Sequence, residues 1–183
     1  MLEEDLRLAL PKGRMEEGVC RLLADAGIKV ATTGRTYRPQ ISLEGVEVKL
    51  LKPQNIVEML QLGSRDIGFA GADWVAELQA DVVEILDTGL DPVRIVVAAP
   101  QELKQTGLSR VAAARTRPLV VATEYENLAK SWLRTRGLSA QLLRSYGATE
   151  VFPPEDADLI VDNTATGATL RAGNLEIIEV LMC

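Results

Sequence analysis

Along this 183-residue chain, short apolar runs alternate with segments whose apolar residues recur every three or four positions. Residues 6–10, "LRLAL", read as a buried strand interrupted only by Arg7, and Pro11 and Gly13 break it. Met15, Val19, Leu22, Leu23 and Ala26 have helical spacing, with Gly27 as the stop. Residues 46–51 read as a strand, Pro53 suits the first turn of a helix over 54–62, and Gly63 closes it. A strand over 67–70 and a helix over 72–78 follow, then strands over 82–86 and 93–99. Residues 119–123 form the next predicted strand, 126–135 a helix ended by Gly137, and 142–143 a short strand. Strands over 159–162 and 177–181 complete the pattern, with a glycine-containing loop and a helix between them. Such alternation predicts an α/β fold built on a largely parallel sheet.

The stretch "GLDPVR", residues 89–94, reads as a crossing between two lobes, and a second crossing is expected near 171–174. The first lobe then comprises residues 1–92 plus 172–183, and the second residues 93–171. The final apolar run reaches Cys183, so further protein or a partner is expected to cover it.

Composition narrows the chemistry. The chain is 47% hydrophobic and 25% charged, as expected of a globular protein with a real core. Its net charge of −6 argues against nucleic acid as the main partner. No N-terminal segment reads as a basic-then-apolar signal, and no apolar run approaches the roughly 20 residues that span a bilayer. The expected compartment is the cytoplasm, with no membrane association. Cys20 and Cys183 form no metal or redox motif. The chain has no histidine, which excludes Ser-His-Asp hydrolysis, Cys-His chemistry and most zinc enzymes. An enzyme of this composition works with carboxylates, cations, hydroxyls and backbone dipoles.

Polar residues gather at the predicted strand ends. In "ADLIVDNTATGATLRAGNL", residues 157–175, an apolar strand ends at Asp162 and a small-residue loop leads into a helix. Backbone N–H groups of such a turn form an anion-binding concavity. Thr164, Thr166 and Thr169 add hydroxyls, Gly167 permits close approach, and Asp162 can accept from sugar hydroxyls. The loop reads equally as an ordinary strand–turn–helix link with threonine caps. In "LALPKGRM", Lys12 and Arg14 flank Gly13 where the chain leaves the sheet, as phosphate ligands or as solvated charge. Arg35 and Arg38 lie in the loop "GRTYRPQ", and Lys52 and Asn55 sit at a strand end beside a helix start. In "DIGFAGADWVAE", Asp73 reads as an N-cap or a ligand contact, and Glu77 as a solvated helix face.

The order of these motifs resembles the catalytic subunit of the ATP phosphoribosyltransferase family. "LALPKGRM" is similar to the family's N-terminal strand and turn, "DIGFAGADWVAE" to its glycine-rich central motif, and "DPVRIVVAAP" to its crossover strand. "GATEV" is similar to the segment before its signature, and "ADLIVDNTATGATLRAGNL" to the phosphoribosyl-pyrophosphate signature, the most specific of the set. The resemblance implies two α/β lobes with a central cleft, similar to type II periplasmic binding proteins. It implies transfer of phosphoribosyl from phosphoribosyl pyrophosphate to N1 of ATP, releasing pyrophosphate, as the first step of histidine biosynthesis. Magnesium would accompany the phosphates; no protein ligand for it is assigned.

By the same resemblance, Asp162 faces the ribose, and Thr164, Ala165, Thr166, Gly167, Ala168 and Thr169 hold the 5-phosphate. Lys12, Gly13, Arg14 and Asp73 fall at ATP contacts. Arg35 and Lys52 fall where the family has cations near the leaving pyrophosphate, the expected catalytic pair. The first lobe is then the ATP side. The length resembles the family's short form, which works with a regulatory partner similar to histidyl-tRNA synthetase, as a homo-dimer or a larger hetero-oligomer. Even for that form, a further strand and helix are expected after Cys183.

The chain departs from the pattern in places. Lys52 and Asn55 stand where the family usually has arginine and aspartate, and Val57 where proline is common. Lysine keeps the charge but loses the bidentate fork. Asn163 replaces a typically apolar residue, and the stretch between Glu150 and Asp158 is one residue short. A catalytically weakened relative is one alternative. Another phosphoribosyltransferase class, or a two-lobed solute-binding protein, are the others.

Overall fold

The first strand shows how the pattern becomes structure. In a computed structural model, which describes residues 5–31 and 37–183, strand β1 spans Leu6–Pro11 and buries Leu8, Ala9 and Leu10. Arg7 interrupts the apolar run because its guanidinium grips Asp66, 2.7 Å away, and holds that carboxyl down at about 2, chiefly by hydrogen bonding. Helix α1 follows over Arg14–Asp25, then the short strands β2, Val30–Ala31, and β3, Gln40–Ile41. Strand β4 covers Val46–Leu51, helix α2 Pro53–Gln61, strand β5 Ile67–Gly68 and helix α3 Ala72–Leu78.

The chain divides into two compact units, one ending at Asp91 and one spanning Pro92–Cys183. In the first, β4, β1 and β5 form a parallel sheet in that order, with Pro11 paired to Leu51 and Ala9 to Gly68. Its core gathers Leu8, Leu10, Val48 and Leu50 against Val19 and Leu23 of α1. The strand expected over 82–86 does not form. Among the described residues nothing pairs with that segment, and Val83, Ile85 and Leu86 stay exposed. An apolar run becomes a strand only when a neighbour takes its N–H and C=O groups.

The second unit contains strand β6 (Arg94–Pro100), helices α4 (Gln101–Thr106) and α5 (Leu108–Ala114), and strand β7 (Leu119–Thr123). Helix α6 (Glu126–Arg136), strand β8 (Ala140–Arg144), a 3₁₀ turn (Thr149–Val151), strand β9 (Leu159–Thr164), helix α7 (Ala168–Ala172) and strand β10 (Leu175–Met182) complete it. The pattern did not predict α4 and α5, whose apolar stripe is weak: only Leu103 is buried across the two. The five strands run β10-β6-β9-β7-β8. This sheet is mixed, not parallel throughout: β7 is parallel to β8 and β9, while β6 is antiparallel to β9 and β10. Residues Ile95 to Ala99 of β6 are buried on both faces, as a central strand requires.

Residues 172–183 were expected in the first lobe; the structure places them in the second unit. Leu175 joins the core of Val96, Ala98, Ala122, Ile160 and Leu170. Glu179 on β10 accepts Trp132 Nε1 at 2.8 Å and pairs with Arg136 at 2.6 Å, and Lys104 pairs with Glu176 at 2.8 Å. Packing and three polar clamps therefore tie β10 to α4 and α6. The stretch expected as a second crossing is the turn from α7 into β10.

Candidate active site

Each unit carries polar residues at the carboxyl ends of its parallel strands, where open α/β sheets bind ligands. In the first unit three adjacent strands deliver them along one edge. Lys12 follows β1, and its N–H bonds Leu51 O at 2.8 Å. Its ammonium lies 4.0 Å from the ring centroid of exposed Tyr37, a cation–π contact of about 0.5–1 kcal/mol at such a site. Gly13 has φ 90 and ψ −142, open in practice to glycine alone, which turns the chain sharply into α1. Its N–H is met by Glu16 Oε2 at 3.4 Å, so the start of α1 already faces its own carboxylate.

Arg14 is exposed but engaged: Nε and Nη2 both meet Asp91 Oδ2 at 3.0 Å. Lys52 follows β4 as the residue before α2, is exposed, and has no ion pair among the described residues. Asn55, one turn on, donates to Glu58 Oε2 at 3.2 Å and so points along its own helix. Arg35 lies outside the described residues.

Asp73 does not cap α3. Gly71 occupies that position, and Asp73 is the second helical residue, 8% exposed, folded back so that a side chain at 71 would collide with its carboxylate. Glu77, expected on a solvated face, is buried at 5% exposure one turn later. Helical spacing shows which residues share a face; here the shared face turned inward.

The second unit's site is the turn after β9. Gly167 takes φ 72, a left-handed conformation that glycine adopts without strain. Its N–H bonds Thr164 Oγ1 at 2.8 Å, and Ala168 N–H bonds Thr166 Oγ1 at 3.3 Å. Thr164 is 6% exposed, so it shapes the loop from beneath. Ala165, Thr166, Ala168 and Thr169 are exposed on its outer side. Arg171 was not singled out in the sequence, yet its Nη1 returns to Thr166 O at 3.1 Å and brings a cation to the turn. The five-residue spacing from Thr166 was its only sequence signal.

Asp162 is enclosed at the root of this loop. Burial pushes its carboxyl up to about 6; Asn163 N–H, 2.7 Å from Oδ1, opposes the rise, and the charges of Glu124 and Glu150 add to it. A carboxylate in this state accepts hydrogen bonds strongly and exchanges a proton near neutral pH. Asn163 donates from Nδ2 to the hydroxyl of Tyr125 at 2.9 Å, and Tyr125 is fully buried. The departure from an apolar residue at 163 thus satisfies a buried phenol. Among the described residues no cluster of three or more acidic, histidine or cysteine side chains forms a metal cage.

The family model described as HisG, ATP phosphoribosyltransferase, matches residues 52–183. Curated relatives named ATP phosphoribosyltransferase from Chlorobium luteolum and Thermodesulfovibrio yellowstonii are 37% and 34% identical over 97% and 100% of this chain. The chain spans 60% and 62% of their lengths. A solved chain of the ATP phosphoribosyl transferase (HisG:HisZ) complex from Thermotoga maritima is similar with a TM-score of 0.79 at 27% identity, over 97% of this chain and 83% of that one. A binding protein component of an ABC phosphonate transporter from Pseudomonas aeruginosa shares the fold, with a TM-score of 0.52 at 12% identity over 96% of this chain and 64% of its own.

Proposed function

Because the chain belongs to the ATP phosphoribosyltransferase family, we propose that it carries the substrate-binding residues of that reaction, the first step of L-histidine biosynthesis. N1 of the adenine in ATP attacks C1 of phosphoribosyl pyrophosphate. The N1–C1 bond forms as the C1–O bond to pyrophosphate breaks, and the adenine amino group then loses a proton. The observation that carries this reading is the turn after β9: a left-handed glycine, exposed small residues and threonines, and a carboxylate at its root.

In this reading Thr166, Thr169 and the backbone of Ala165 to Ala168 hold the 5-phosphate. Thr164 fixes the turn and Arg171 supplies charge. Asp162 accepts the ribose hydroxyls. Lys12, Gly13, Arg14 and Asp73 serve ATP, with Arg14 exchanging Asp91 for phosphate oxygens. Lys52 and Arg35 face the leaving pyrophosphate, where negative charge grows as C1 becomes oxocarbenium-like. Cations aimed at that charge and alignment of two bound reactants supply most of the acceleration. Magnesium is read as entering on the substrates' phosphate oxygens, as it commonly does, and supplies further charge neutralisation there.

The proposed compartment is the cytoplasm. The proposed assembly includes a regulatory subunit similar to histidyl-tRNA synthetase, in keeping with the Thermotoga chain being part of a HisG:HisZ complex. One observation favours a second reading, a weakened enzyme: Lys52 offers one point charge, and Asn55 is turned to Glu58. The test is to incubate the protein with ATP, phosphoribosyl pyrophosphate and magnesium, with and without the synthetase-like subunit. Pyrophosphate release and ribosylation at N1 are followed. No N1 product under either condition overturns the proposed activity. A Lys52→Arg variant that raises kcat without changing either KM identifies the weakened form.

A further inference from the structure

Strand β6 opens on Arg94, and its register with β9 sets where that arginine lies. Arg94 stands opposite Thr164, and Val96 opposite Asp162. Directly opposed residues of an antiparallel pair project to the same face. Arg94, Val96 and Ala98 therefore share a face with Thr164, Asp162 and Ile160. That face carries the core of Val96, Ala98, Ile160 and Leu170, so it is the one that α7 covers. Thr164 Oγ1 accepts the Gly167 N–H there, which puts the turn after β9 on the same side of the sheet as Arg94. An apolar row thus ends in an arginine where the candidate phosphate turn begins.

Arg94 is partly buried and has no hydrogen bond or ion pair among the described residues. Other arginines of this unit are engaged: Arg115 and Arg117 with Asp158, Arg136 with Glu179, and Arg171 with Thr166 O. Asp162 is Arg94's diagonal neighbour, a position about 7–8 Å away across such a pair, yet the two do not bond. A cation and an enclosed acid on one face, neither neutralised by the other, suit a ligand that brings an anion to the first and hydroxyls to the second. A sugar phosphate does both. A phosphate monoester carries close to two negative charges above neutral pH. Residues 164–172 hold one cation, Arg171. Asp162, when ionised, adds repulsion, so a second cation is needed. The planar fork of an arginine matches two phosphate oxygens.

The geometry points to Arg94 as a further substrate-binding residue, whose guanidinium takes oxygens of the 5-phosphate of phosphoribosyl pyrophosphate from the β6 side of the turn and offsets the Asp162 charge. The identity of the substrate rests on the function proposed above; a sugar-phosphate site at Arg94 does not.

The test titrates the wild type, Arg94→Met and Arg94→Lys with ribose 5-phosphate, inorganic phosphate and ATP, by calorimetry at two ionic strengths. Methionine keeps an apolar stem over the neighbouring side chains and removes the charge. Arg94→Met is expected to weaken ribose 5-phosphate binding about tenfold, flatten its salt dependence and leave ATP binding unchanged. Arg94→Lys should recover part of the loss, since charge returns without the fork. The urea midpoint should not move, because Arg94 gives up no internal bond. Arg94→Gln is the second uncharged variant should Arg94→Met not fold. Wild-type affinity for ribose 5-phosphate in the folded uncharged variant overturns the assignment. An equal loss of ATP binding overturns it too, as a general charge effect. Inorganic phosphate bound as tightly as ribose 5-phosphate means a bare anion site and overturns the sugar-phosphate reading. A tenfold loss in Arg94→Met, with no N1 product from the wild type, overturns the proposed activity and leaves the sugar-phosphate site standing. A wild type that does not bind ribose 5-phosphate overturns the site.

Discussion

Two aspartates bracket the same apolar run, Asp158 just before β9 and Asp162 within it, and their surroundings are opposite. Asp158 is buried, and desolvation alone would raise its carboxyl. Hydrogen bonds from Arg115 and Val120 N–H, with the charges of Arg115 and Arg117, outweigh that and hold it below the usual range. Val120 N–H meets it at 2.8 Å and Arg117 Nη2 at 3.3 Å. Asp162 has an amide partner and no ion pair among the described residues; burial first, then the charges of Glu124 and Glu150, raise its carboxyl to about 6. A satisfied buried acid anchors a fold. One left near repulsive neighbours, at the carboxyl end of a parallel strand, carries a stability cost of its own, as acids at functional sites often do.

The largest effect expected from this contrast is on the anchor. Asp158→Ala strands Arg115, Arg117 and the Val120 N–H, and should cost the second unit about 3 kcal/mol of stability at pH 7 in urea unfolding. The pH dependence follows from the lowered folded pKa: the stabilisation is present above the ordinary aspartate range and is lost as pH falls through the folded value. A loss under about 1 kcal/mol at pH 7 breaks the comparison.

Asp162→Asn is expected to do the reverse. The folded carboxyl is raised from 3.8 to about 6, so the native state binds the proton more tightly than the unfolded chain. Wild-type stability then falls as pH rises from about 4 to about 6 and is level above that. The asparagine variant should be more stable by about 2 kcal/mol at pH 8, with the gain gone by pH 4, after allowing for a weaker hydrogen bond. Its binding of phosphoribosyl pyrophosphate should fall at the same time. Equal stability of the two proteins at pH 8 would mean that the buried charge is not costly.

The smallest effect sharpens the boundary of the site. Arg171→Met removes the loop's cation at an exposed position, so stability should change by less than about 0.5 kcal/mol. Phosphoribosyl-pyrophosphate affinity should drop about fivefold and its salt dependence flatten, read by calorimetry at two ionic strengths.

Much of this was legible before any coordinates. The helix over 72–78, the strand over 119–123 and the stop at Gly137 follow from local spacing and glycine punctuation, and they appear where expected. The turn at 162–169 was legible because a strand end, a glycine and small residues are local signals. The burial of Glu77, the Arg14–Asp91 pair and the place of β10 were not, since each depends on what a distant segment brings alongside. The segment 82–86 failed for the same reason in reverse: its residues favour a strand, but no neighbour among the described residues pairs with it.

In "ADLIVD" the two aspartates differ only in position. The sequence by itself determined that a strand would run between them and that a glycine-containing turn would follow the second, because periodicity and glycine act over a few residues. Which acid receives arginines and which receives burial and repulsion was decided by tertiary structure. Charge and solvation depend on neighbours more than 30 positions away, such as Arg115 and Val120 for Asp158 and Glu124 for Asp162.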